Sequence, residues 1–138
     1  MVITGEINLR TRGDGDIADI TAGVEKVIMD SRLTSGIVTV FVSGSTAGVT
    51  TIEYEPGLVA DFNKLWARLV PDNTPYDHDA RWGDGNGYAH VRASLLGASL
   101  TIPFTDRKMA LGTWQQIILV DFDNRPRQRT VVVQVMGE

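Results

Sequence analysis

The chain contains two histidines, His78 and His90, twelve positions apart and surrounded by Asp77, Asp79 and Asp84. With no cysteine in the sequence, imidazole and carboxylate are the strongest donors available for zinc, magnesium or a similar divalent ion. Two imidazoles do not complete a coordination shell. A third ligand would come from Glu53, Glu55, Asp61, one of the aspartates or another subunit. By spacing alone, the alternative is a surface loop histidine and a helix histidine satisfied by hydrogen bonds. Two small-residue loops offer a different chemistry. Gly83-Asp84-Gly85-Asn86-Gly87 precedes an expected helix, and Ser43-Gly44-Ser45-Thr46-Ala47-Gly48 follows an expected strand. Either could aim backbone N–H groups at a phosphate, or serve only as a turn whose Ser45 and Thr46 bond their own backbone. Arg92, Arg127 and Arg129 could add positive charge, and Trp82 and Trp114 could stack on a planar ligand.

The elements that must carry these residues follow from periodicity. Ile3, Ile7 and Leu9 alternate along an opening strand, and Ile17, Ile20, Val24, Val27 and Ile28 recur at helical spacing behind a cap at Asp14 or Asp16, with Gly36 as the end. Strands are expected over Ile37–Val42 and Thr50–Tyr54, the second placing Glu53 and Glu55 on one side. Pro56 opens a helix with Leu58, Phe62, Leu65, Trp66 and Leu69 as its stripe, and Pro71 closes it. A long loop, Asp72–Gly87, leads to a helix over Tyr88–Leu96, with Val91 and Leu95 on one side and His90 and Ser94 roughly opposite. Strands follow over Leu100–Phe104, Thr113–Phe122 and Gln128–Met136, the last two joined as a hairpin through Asp123-Asn124-Arg125-Pro126. Strands at both ends with helices between them predict an α+β fold around a largely antiparallel sheet.

Composition narrows the function classes. At 138 residues and 43% hydrophobic, the expectation is one domain, residues 1–138, with its own core. A net charge of −4 argues against nucleic acid as partner. No secretory leader or membrane-spanning run is evident, so no membrane partner is expected, and the lack of cysteine suits the cytoplasm.

Five motifs together resemble the YjbQ-like family: Gly44-Ser45-Thr46-Ala47-Gly48-Val49-Thr50, Val70-Pro71-Asp72-Asn73, Tyr76-Asp77-His78-Asp79, His90 to Gly97, and Gly112-Thr113-Trp114-Gln115. The resemblance implies an α+β fold with an antiparallel β-sandwich core and flanking helices, a homotrimer, and a polar pocket around the histidines. It also implies a weak or secondary thiamine-phosphate synthase, joining hydroxymethylpyrimidine diphosphate to thiazole phosphate with release of pyrophosphate. The alternatives are a non-catalytic trimer binding a metal or small anion, or a metal-assisted phosphate-ester hydrolase. Carried over, His78 and His90 become the metal ligands and, with Glu53 and Asp61, the catalytic group. Ser45, Thr46, Asn86, Arg92, Trp114, Gln115 and Arg129 become the contacts to a phosphorylated ligand. The chain has Gly44 and Tyr88 where many or some relatives have histidine, and Ile52 where many have asparagine, which shifts the ligand set towards carboxylates or water.

Overall fold

In a computed structural model describing residues 1–138, the elements in order are β1 (Val2–Thr11), β2 (Asp16–Asp19), α1 (Thr21–Ser31), β3 (Ser35–Val42), β4 (Ala47–Ile52), α2 (Pro56–Leu69), α3 (Asp77–Trp82), α4 (Gly87–Leu96), β5 (Ser99–Thr105), β6 (Lys108–Met109), β7 (Gln116–Asp121) and β8 (Arg127–Gly137). They form two antiparallel sheets, β1-β8-β3-β5-β6 and β2-β7-β4. The expected α+β architecture with an antiparallel sandwich core is present.

The strand β7 explains how the layers stack. Its run Ile117-Ile118-Leu119-Val120 is fully buried, because both of its faces are covered. Ile117 and Leu119 join Val38, Val40, Val133 and Val135 between the sheets, whereas Ile118, Val120 and the following Phe122 pack with Trp66, Tyr88 and Ala89 beneath α2 and α4. A strand between two apolar layers needs no polar alternation, so its sequence reads as a continuous run. By contrast β1 lies at a sheet edge and alternates half-buried Ile3, Ile7 and Leu9 with exposed Thr4, Glu6, Asn8 and Arg10.

Four expectations are corrected. The helix begins at Thr21, not after Asp14 or Asp16, because Gly13, Asp14 and Gly15 all take positive φ and turn the chain into β2. A Cβ on Gly13 would stand 2.5 Å from the carbonyl oxygens of Asp123 and Arg125, so both the turn's φ and its packing require glycine there. The helix ends at Ser31 with Arg32 in the left-handed region, and Gly36 lies inside β3 instead. The long loop contains the short helix α3, whose first turn carries Asp77 and Asp79, a placement the helix dipole favours. Finally, β7 and β8 belong to different sheets, so Asp123 to Pro126 is a crossing between layers rather than a hairpin turn.

Two smaller differences bear on the site. Helix α4 turns Tyr88, Ala89, Arg92 and Ala93 inward, leaving the expected core residues Val91 and Leu95 at 45% and 59% exposure. Small residues allow this close seat: a Cβ on Gly48 of β4 would meet the Gly97 carbonyl at 2.8 Å. Glu53 lies beyond the end of β4, and Glu55 is the N-cap of α2, accepting hydrogen bonds from the amides of Gly57 and Leu58. Those bonds hold the Glu55 carboxyl below its ordinary value, against a small opposing effect of burial. No helix is long and apolar enough to cross a membrane.

Candidate functional site

Helices α3 and α4 bring the two histidines together, with ring centroids 4.5 Å apart and the planes tilted by 41°. His78 Nδ1 lies 3.4 Å from Asp84 Oδ1 and 3.7 Å from Asp79 Oδ1, is buried, and makes no hydrogen bond. One donor atom from each of His78, Asp79 and Asp84 lies within 4.8 Å of the others. A nitrogen and two carboxylate oxygens are the donor set that zinc or a harder divalent ion takes. The orphaned Nδ1 gives that set a physical motive, since a buried imidazole nitrogen without a partner is costly. The acids that stand with His78 come from α3 and the glycine-rich loop, and His90, expected as the second metal ligand, is not a member of this group.

The same carboxylates are oriented from behind. Asp79 Oδ1 accepts the Gly87 amide at 2.8 Å, and Asp84 Oδ1 accepts the Asn86 amide at 3.2 Å. Because these two amides point inward at acids, they are not turned outward towards a phosphate. Of the loop's two readings, a turn that starts the helix and a cradle for an anion, the bonds of these two amides fit the turn.

Beneath the histidines runs a buried polar network that ties the crossing between the sheets. Arg129 donates from Nε to Asp121 Oδ2 at 2.7 Å and from Nη2 to Asp121 Oδ1 at 2.8 Å, and Nη2 also donates to Thr46 Oγ1 at 2.6 Å. Thr46 Oγ1 in turn donates to Asp123 Oδ2, which also accepts Asn86 Nδ2 and Arg127 Nε. Thr11 donates to Asp121 from β1. Asn86 Oδ1 accepts the Asn124 amide, so Asn86 links the network to the amide that holds Asp84. Burial pushes the Asp123 carboxyl up, but the bonds from Thr46, Asn86 and Arg127, together with the charge of Arg127, outweigh it and hold Asp123 below the usual carboxylate value.

The structure thus brings together His78, His90, Asn86, Thr46 and Arg129 among the expected residues, with Ser45 and His90 lining one shared cavity. It does not bring in the others. Glu53 and Trp114 line a separate surface hollow with Asp19 and Tyr54, and Asp61 is exposed on α2. Gln115 bonds Thr51 and the Gly112 amide. Arg92 faces the core: its Nε donates to the Val70 carbonyl at 2.9 Å and its guanidinium lies over the Tyr88 ring. Burial lowers Arg92 from its usual value against the opposing charges of Tyr88 and Asp72, and it raises the Tyr88 phenol to about 12. Tyr88 and Arg92 are packing partners. The residues that sequence reasoning passed over are Asp121 and Asp123. Their signal was an alternating pair of acids closing an otherwise apolar strand, a place where an unpaired charge is not tolerated.

Two antiparallel sheets with a histidine–aspartate cluster joined through Asn86 to a buried arginine–aspartate network define the class. The chain belongs to the UPF0047 YjbQ-like family, whose model matches residues 5–138. A UPF0047 protein of Archaeoglobus fulgidus is 39% identical over 131 residues, covering 95% of this chain and 99% of that one. The fold is shared with a crystal structure from Sulfolobus solfataricus, described as a YbjQ-like protein of unknown function, at a TM-score of 0.94 and 32% identity, covering 100% of this chain and 99% of that one. An uncharacterized conserved protein of Clostridium acetobutylicum superimposes at a TM-score of 0.88 with 34% identity, covering 96% and 99% of the two chains. The family resemblance read from the motifs is therefore correct.

Proposed function

We propose that this protein is a cation-dependent transferase acting on phosphorylated small molecules, of the thiamine-phosphate synthase type. The observation that carries the reading is the buried, unpartnered His78 Nδ1 set against Asp79 and Asp84 with His90 beside it. His78, Asp79 and Asp84 would hold a magnesium or zinc ion, and when bound the ion supplies positive charge to a departing diphosphate. In the reaction, a ring nitrogen of thiazole phosphate forms a C–N bond with the methylene carbon of hydroxymethylpyrimidine diphosphate. The carbon–oxygen bond breaks and pyrophosphate leaves with the electron pair. His90 would donate a hydrogen bond to that leaving group, while the Asn86 and Gly87 amides keep Asp84 and Asp79 in position.

Assembly as a homotrimer belongs to the same proposal. It is supported by exposed apolar side chains on the outer face of the five-stranded sheet, where Ile37 pairs with Met136 and Phe41 shares their side, and by Val91 and Leu95 on α4. The cytoplasm is the proposed location, in keeping with a chain free of cysteine.

Purified protein supplied with both thiamine precursors and magnesium is expected to form thiamine phosphate above a His78→Ala/His90→Ala control. No product above that control sinks the transferase reading. One observation favours a non-catalytic binder instead, namely that Glu53 and Asp61 do not join the cluster. Cation binding without turnover in the same assay would select it.

A further inference from the structure

The loop between β3 and β4 contains three consecutive backbone amides, those of Gly44, Ser45 and Thr46, that donate to no acceptor within the chain. Next to them lies Arg129, whose side chain is only 8% exposed. Its Nε and Nη2 are committed to Asp121 and Thr46, whereas Nη1 bonds nothing in the chain. This free edge points at Gly44, where a Cβ would stand 2.6 Å from Nη1. Any other side chain at position 44 would cover the guanidinium. Gly44 has no positive φ, so the backbone does not require glycine there, and the uncovered Nη1 is what the residue provides.

Gly44 also borders a cavity of about 300 Å³ whose other walls include Ser45, Ala47, His90, Ser94 and Gly97. The C-terminal end of α4 forms part of this wall, and its negative dipole would ordinarily repel an anion. Around this wall the carbonyls of Ala93, Gly97 and Ala98 already accept the amides of Gly97, Val49 and Val42. Gly44 and Ser45 line this space, Arg129 Nη1 lies directly behind Gly44, and the unpartnered Thr46 amide follows them in the chain. Successive amides beside a guanidinium are the recognition chemistry of a tetrahedral oxyanion. By contrast, the Asn86 and Gly87 amides of the glycine-rich loop are occupied by acids.

We infer that the Gly44–Thr46 amides and Arg129 Nη1 form a phosphate subsite separate from the His78–Asp79–Asp84 cluster and independent of any metal. Its use rests on the transferase reading, in which two phosphorylated reactants need two anion sites, and this one would take the monophosphate. Phosphate binding itself does not depend on that reading.

The test is calorimetric titration of the whole protein with inorganic phosphate in the presence of a chelator. Wild type binds, Gly44→Ala weakens binding about tenfold or more by covering Nη1, and Asp84→Asn leaves it unchanged. Binding that is indifferent to Gly44→Ala, or that needs a metal and is lost in Asp84→Asn, overturns the inference. Amide shifts in the wild type keep the test open if the variant fails to fold. Phosphate must move the Gly44, Ser45 and Thr46 resonances, and shifts confined to other residues overturn the subsite. Failure of the thiamine-phosphate assay with phosphate binding intact would remove the transferase and leave the subsite standing.

Discussion

The two polar centres of this molecule stand close in the fold and are built on opposite terms. Around Asp121 and Asp123, whose side chains are 0% and 1% exposed, every carboxylate oxygen accepts a hydrogen bond, and two arginines balance two acids. Around His78, with its side chain 32% exposed, two acids face a nitrogen that makes no hydrogen bond, and the nearest aromatic neighbour is another imidazole. Burying charges is tolerated only when they are paired and bonded, so the first arrangement is what a structural joint between sheets requires. The second leaves the His78 nitrogen unsatisfied, as expected where a ligand is to complete it. Asn86 connects the centres, so rigidity in one becomes placement in the other.

If that division of labour is right, the two centres must fail differently. The largest effect is expected from Asp121→Ala, which strands Arg129 as a buried charge: denaturant unfolding at neutral pH should show a loss of about 3–5 kcal/mol. Next comes pH. Asp123 has a folded pKa below its unfolded value of about 4, so its contribution is present above that pH and is lost as pH falls through the folded value. Wild-type stability should drop between neutral and strongly acid solution, and Asp123→Asn, less stable at neutral pH, should drop less on acidification. An unchanged acid limb in the variant would mean the network is not what responds to acid. The smallest effect on stability is expected from His78→Ala, less than about 1 kcal/mol for a half-exposed side chain, with divalent-cation affinity nevertheless reduced about tenfold or more. A His78→Ala protein that unfolds readily would erase the contrast between the two regions.

Sequence periodicity revealed much of this architecture. The β1 alternation, the Pro56 start of α2 and the buried run of β7 were legible because each has one dominant period or one strong breaker. The register of α1 was misplaced because Ile17 continues the helical spacing of Ile20, Val24 and Ile28, although strand pairing with Val120 claims it. Nothing local distinguishes those two uses of an isoleucine. Helix α4 misleads by sequence because Val91 and Leu95 are its obvious apolar residues, while the core face is made of Ala89, Ala93, Tyr88 and a buried arginine. At the site, the histidine pair emerged from the motifs. The Arg129–Asp121 joint did not, because its partners meet only when β7 crosses to the other sheet, a topology the turn residues Asp123 to Pro126 disguised as a hairpin.

On the proposed reading, His78 Nδ1 is held for a cation by Asp79 and Asp84. A crystal structure of the protein grown with zinc, with anomalous data collected at the metal edge, tests it most directly. An anomalous peak is expected roughly 2.0–2.2 Å from His78 Nδ1 and bonded to an oxygen of Asp79 or Asp84. A peak located elsewhere, with His78 Nδ1 unligated, would contradict it.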